Sequence, residues 1–296
     1  MTVDRAAALG TEEGTGASDA MQRRLGPGFW IPIGWITLMV VAAVLAPILP
    51  IADPEETGVG GRLDPPSWDN WFGTDTNGRD MFARTIWGAR VSLVVGFVAL
   101  VVGFVIGGTI GVVAGFFRGL VDRLSMSVVF VLLSFPGLAL ALMIIGLLGQ
   151  SLGVVSIVLS LAVIAPVARL ARATTLSFAE RDFVSAARVL GATDRRIMAR
   201  EILPNVLIPL SALSLLGLGL TIVGEGGLAY LGLSVENGFS WGKMIQLGAA
   251  PRTLRTGPWV AFTPIGAMFL TVLSLNFAGD RLRDYFDVRE VGISGR

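Results

Sequence analysis

"SAARVLGATDRRIMAREILP", Ser185 to Pro204, carries four arginines and a central glycine between two long apolar runs. Helical spacing predicts a short helix over Ala179–Leu190, "AERDFVSAARVL". Gly191 suits the left-handed residue that closes such a helix, because it has no Cβ to clash there. Thr193 stands where a hydroxyl caps a second helix, and Asp194 is favourable beside that helix's positive end. The second helix, "DRRIMAREIL", runs to Pro204, where an apolar span can begin. Ala186 and Ala187 leave little side chain on one face, so another surface can approach closely. The stretch reads as a helix, a glycine turn and a helix lying beneath a membrane.

The flanking runs supply that membrane. The chain has 296 residues, 53% hydrophobic and 15% charged, with a mean hydropathy of +0.71. A soluble domain carries about a quarter charged residues, so the fold class is an all-α polytopic membrane protein. Cysteine and histidine are both absent. Their absence removes disulfides, thiol nucleophiles, zinc sites of the usual type, and Ser-His or Cys-His catalytic pairs. No Gly-x4-Gly-Lys-Ser/Thr loop occurs either, so the chain itself is expected to bind neither ATP nor magnesium. No catalytic residue, metal ligand set or nucleic-acid partner is expected.

Six spans are read from the uncharged runs. The first is Phe29 to Ile51 and the second Val91 to Phe117. Leu124 to Ala168 is too long for one helix and breaks at "GQSLG", Gly149 to Gly153, giving a third and a fourth. Ile202 to Leu233 holds the fifth and Thr256 to Gly279 the sixth. Pro136 and Pro166 predict kinks in spans three and four. Gly103, Gly107 and Gly111 fall on one face of span two, a spacing that permits close helix packing in lipid. "GTDTNGRD", Gly73 to Asp80, predicts a turn entering a helix toward Arg90.

Six crossings put both termini on one side. If that side is the cytoplasm, it carries sixteen of the 23 basic residues, as the positive-inside tendency requires. The expected organisation is a disordered cytoplasmic tail over 1–28, a first transmembrane helix over 29–51 and an acidic external segment over 52–88. A five-helix core follows over 89–282, with the arginine-rich loop at 179–204, and a cytoplasmic tail over 283–296 closes the chain.

The residues of that loop also carry a resemblance. "SAARVLGATDRRIMAREILPN" resembles the EAA loop of bacterial ABC importer permeases, with Ala186, Ala187, Gly191, Leu203 and Pro204 on the pattern. Ser185 replaces the motif's glutamate, and Glu201 stands where isoleucine is common, with Ile202 beside it. "WFGTDTNGRDMFARTIWGARVSL", "GEGGLAYLGLS" with "SWGKMI", and "NFAGDRLRDYFDVR" are similar, in order, to segments of the dipeptide/oligopeptide/nickel class, in its C-type subunit. The resemblance implies a type I importer fold with six transmembrane helices in a bacterial inner membrane. It also implies two unlike permeases, two cytoplasmic ATPase domains that bind ATP and magnesium, and an external peptide-binding protein. On this reading Asp182, Ser185, Ala186, Ala187, Gly191, Arg195, Arg196, Ile202, Leu203 and Pro204 form the loop that couples to an ATPase.

Glu225 is the one ionisable residue deep in a long apolar run. Such a carboxylate is expensive and marks a candidate functional position. It either meets a peptide's amino terminus in the translocation path, bonds to a neighbouring helix, or sits hydrated near the outer interface. Three competing functions differ from peptide import. Nickel import keeps the architecture and changes the cargo. An intramembrane protease would need a Ser-Lys pair built on Lys243, the chain's single lysine, which has no evident partner. A channel or secondary transporter working alone leaves the arginine-rich loop without a purpose.

Overall fold

The computed structural model describes residues 26–236 and 238–293. The expected N-terminal tail lies almost wholly outside the described residues. Helix α1, Pro27–Leu45, is the first span. It ends before Ile51 because Pro47 and Pro50 deny the chain two amide donors. Helix α2, Met81–Phe117, begins ten residues before the expected Val91, at the N-cap Asp80, whose carboxylate accepts from Phe82 N and Ala83 N. Its early arginine, Arg84, is tolerated because it is buried beside Asp75 at 3.8 Å and donates to Pro54 O at 2.9 Å.

Span three is a broken element. Helices α3, Gly119–Ser134, and α4, Gly137–Leu148, meet at an angle of 86°. Pro136 lacks an amide hydrogen and drives Phe135 into extended backbone, so the expected kink is a full break. Helix α5, Leu152–Ala179, carries Pro166 inside it without interruption.

The rest of the bundle follows the chain order. Helices α6, Asp182–Val189, and α7, Asp194–Ile197, make the elbow. A π-turn at Met198–Ile202 leads into α8, Leu203–Tyr230. Asp194 to Tyr230 therefore reads as one rod of 37 residues. Two short helices, α9 (Trp241–Gly248) and α10 (Pro251–Thr256), precede α11, Trp259–Ile293. Because α11 continues past Gly279 and Leu282, the expected C-terminal tail from 283 begins as helix.

Glycines set the packing. A Cβ on Gly103 would meet Val163, one on Gly107 would lie 2.5 Å from Ile164 O, and one on Gly115 would meet Arg172 O and Thr175. Residue numbers rise together along this seam, so α2 and α5 run parallel, with their last turns on the same side. Met126 and Val129 of α3 pack at the Ala114–Ala168 level, whereas Ala141 and Ile145 of α4 pack at the Val95–Val155 level. The bent pair thus carries the chain from the end of α2 back to the start of α5, and counts as one broken crossing. With the five unbroken spans this makes six among the described residues.

Two antiparallel contacts orient the first and last helices of the described chain. Trp35 Nε1 of α1 donates to Thr271 Oγ1 of α11 at 3.1 Å, and Gly28 lies beside Arg281. Gly219 faces Val272 while Gly279 faces Leu215, so α8 runs against α11. Both ends of the described chain therefore share a side with the elbow. The 46–80 segment, the α4–α5 turn and α9–α10 occupy the other.

Candidate coupling elbow and outer cluster

The elbow is built by a shift of the expected boundaries. Ala179 still belongs to α5, and the short helix begins at Asp182 after a turn at Glu180–Arg181. Arg181 N donates to Phe178 O at 3.1 Å, closing that turn. At the other end, Gly191 has φ +79. Its N–H reaches Arg188 O and the next N–H, of Ala192, reaches Ala187 O, each at 3.0 Å. This pair of bonds is the Schellman closure that a left-handed residue permits. Thr193 occupies the N-cap position, but its hydroxyl caps nothing; its carbonyl accepts from Ile197 N at 2.9 Å. Asp194 instead pairs with Arg188 across the turn at 4.0 Å.

The elbow has two faces. Val184, Ile197 and Ile202 are fully buried in a core with Val112, Phe116, Val167, Ala171, Phe178, Val206 and Leu210, which seats the elbow on α2, α5 and α8. Ile202 is therefore a packing residue. Asp182, Ser185, Ala186, Gly191, Arg195, Arg196, Leu203 and Pro204 are exposed and Ala187 is half-buried. At the tip, Val189 and Leu190 are 88% and 86% exposed. Neither was a sequence candidate. The available signal was two adjacent apolar residues against the helix-closing glycine, off the buried stripe of α6.

A joint behind the elbow fixes its angle. Leu203 N–H bonds Met198 O, one residue further back than in an α-helix. The wider turn comes directly before Pro204, which has no hydrogen to give Arg200 O. Asn205 Nδ2 donates to Glu201 O at 2.6 Å and stiffens the same turn. Two ion pairs brace the neighbouring corner. Arg118 bonds Glu180 at 2.9 Å, and Arg172 grips both oxygens of Asp122, the Nη2–Oδ2 bond measuring 2.6 Å.

A bent, amphipathic elbow is thus joined without a break to a rod long and apolar enough to cross a membrane. The model of the binding-protein-dependent transport system inner membrane component family matches residues 107–291. The chain belongs to that family. It is 36% identical over 253 residues to the dipeptide transport system permease protein DppC of Alkalihalophilus pseudofirmus, covering 85% of this chain and 83% of that one. It is 37% identical over 270 residues to a putative peptide transport system permease protein of Brucella suis, with 91% and 89% coverage. The glutathione transport system permease protein GsiD of Pectobacterium atrosepticum is 35% identical over 255 residues, with 86% and 84% coverage. Inward-facing structures of the MetNI methionine ABC transporter share the fold. One aligns with a TM-score of 0.60 at 21% identity, over 69% of this chain and 97% of that one.

In this permease Glu225 lies at the opposite end of the rod from the elbow and is fully buried. It is not a hydrated interfacial group. It bonds to its neighbours instead. Its Oε2 accepts from Ser92 Oγ of α2 at 3.0 Å. Its Oε1 accepts from Ser234 Oγ at 3.1 Å. Ser92 Oγ accepts in turn from Trp241 N at the start of α9 at 3.1 Å. Ser240 Oγ stands 3.4 Å from Ser234 Oγ and caps Lys243 N at 3.2 Å. The Ser92 partner was not legible in the sequence, since it is 133 residues from Glu225.

Proposed function

We propose that this permease forms half of the translocation pathway of an ATP-driven peptide importer in a bacterial inner membrane, and that its elbow docks on a cytoplasmic ATPase. A second homologous permease forms the other half, two ATPase domains bind ATP and magnesium, and an external binding protein delivers the peptide. The relatives named for dipeptide, peptide and glutathione transport support this cargo class. The elbow's side, which holds both ends of the described chain, is the cytoplasm; its arginine excess supports that orientation.

The observation that carries the reading is the tip of the elbow. Val189 and Leu190 stand almost wholly in solvent, flanked along the chain by the exposed Arg188, Arg195, Arg196 and Arg200. Burying two such side chains in a partner's groove is worth about 1.5–3 kcal/mol each, and the surrounding charges set orientation. The underside is already occupied by the core, so the tip is the free face. An elbow pushed by a nucleotide-driven partner moves the α8 rod, which biases the pathway between inward-open and outward-open states.

The test is reconstitution of the whole complex in vesicles. Wild type should couple ATP hydrolysis to peptide uptake. Leu190→Glu should leave this chain folded, with stability changed by less than about 0.5 kcal/mol, yet lose ATPase association on co-purification. Uptake without ATP would support a stand-alone channel, and uptake of nickel but not peptide would change the cargo. Either result overturns the proposal.

A further inference from the structure

The outer end of the bundle is closed by α9. This helix packs back against three spans at glycine contacts. A Cβ on Gly242 would meet Ala229 and Gly226 of α8, one on Gly88 would meet Met244 and Trp241, and one on Gly248 would meet Val260 and Ala261 of α11. Trp241 is fully buried, with Nε1 donating to Thr85 O at 2.9 Å. At the rim Gln246 Nε2 of this cap donates to Tyr230 O of the rod at 3.1 Å, and a buried polar cluster joins the two further in. Glu225 sits on α8 and Ser92 on α2, while Ser234 and Ser240 lead into α9. Glu225 receives two hydroxyls directly, and Trp241 N closes the circuit through Ser92.

A carboxylate is a costly way to fill space within a membrane. A leucine or methionine of similar volume would pack there at less expense. What a carboxyl group adds is direction: two oxygens can hold hydroxyls from two different elements in one geometry. The residue also sits 31 positions along the continuous helix from Asp194, roughly 45 Å at 1.5 Å per residue. The rod thus has a motor-facing elbow at one end and this cluster near the other.

We propose that Glu225 is a positioning residue that latches the outer cap, α9, to the α8 rod and to α2, so that displacement of the elbow reaches the outer mouth of the pathway. The inference rests on the coupling reading given above. It assigns Glu225 no contact with the transported peptide; the carboxylate acts through Ser92, Ser234 and the start of α9.

The experiment uses the complete complex in vesicles, measuring peptide uptake and ATP hydrolysis together. The chain has no cysteine, so a single reporter cysteine at the exposed Leu247 of α9 can carry a spin label. In wild type, the label's mobility should change when a non-hydrolysable ATP analogue binds the partner subunits. In Glu225→Ala the complex should assemble and hydrolyse ATP, the label should stop responding, and peptide taken up per ATP should fall at least about fivefold, the lower end of a typical coupling between sites. Ser92→Ala removes one donor and leaves the carboxylate. It keeps the inference testable if Glu225→Ala does not assemble, and it should lower the same ratio. A responsive label and an unchanged ratio in either assembled variant overturn the latch. A raised KM for peptide with the ratio preserved also overturns it and returns Glu225 to the pathway. If wild type shows no ATP-dependent uptake, the functional reading itself fails, a result distinct from failure of the latch.

Discussion

One methyl group at Gly107 has nowhere to go. A Cβ there would lie 2.5 Å from the Ile164 carbonyl oxygen of α5, whereas Gly108, one position on, faces open space. Overpacking a close helix contact costs about 1–3 kcal/mol, so Gly107→Val should lower the thermal midpoint of the purified chain in detergent by several degrees. Gly108→Ala should leave it unchanged or slightly raised, since alanine is the better helix former. Equal losses in both would show that the α2–α5 seam is looser than described. The Asp122–Arg172 pair is a milder case. Its side chains are 19% and 33% exposed, so a double-mutant cycle should return up to about 1 kcal/mol. A coupling of zero would mean that the pair is ornamental. The seam's glycines were legible from their spacing, and the ion pair was not, because its members are fifty residues apart.

The elbow depends on its turn. Gly191 is left-handed, and a Cβ in that conformation costs about 1–2 kcal/mol. Because nothing lies within 4 Å of the site, the penalty is conformational and not steric. Gly191→Ala should therefore disturb the orientation of Val189 and Leu190 and lower ATP-coupled uptake. Gly191→Asn should recover most of it, since asparagine tolerates this backbone. Matching defects in both variants would point to a contact made by the glycine itself. The turn could be read in advance because glycine's φ preference is local. The π-turn at Met198–Ile202 could not be, since it reflects how Pro204 and the buried Ile202 are reconciled in the assembled helix. Likewise Pro136 announced a disturbance, but its 86° angle was set by α4 packing at a different level from α3.

The six crossings, with both ends of the described chain on the elbow's side, make a claim about compartments. In whole cells of a cysteine-free background, a thiol reagent that does not cross membranes should label Glu56→Cys in the external segment. It should label Arg195→Cys in the elbow only after permeabilisation. The reverse pattern would invert the molecule and remove the elbow from any cytoplasmic motor. Both positions are exposed, so failure to react cannot be blamed on burial within this chain.

Composition, the lengths of the apolar runs and the arginine distribution were enough to establish a helical membrane bundle, its six crossings and its polar elbow. Each of these rests on free energies summed along the chain: transfer into lipid, backbone hydrogen bonds within a helix, and glycine's freedom in a turn. Three things were decided only in three dimensions: which face of the elbow is spoken for, how sharply the third span breaks, and what holds Glu225. Those depend on residues far apart in order coming together, such as Val184 and Val112 in one buried cluster or Glu225 bonded to Ser92. No local pattern records such a contact, because its energy exists only once the helices have met.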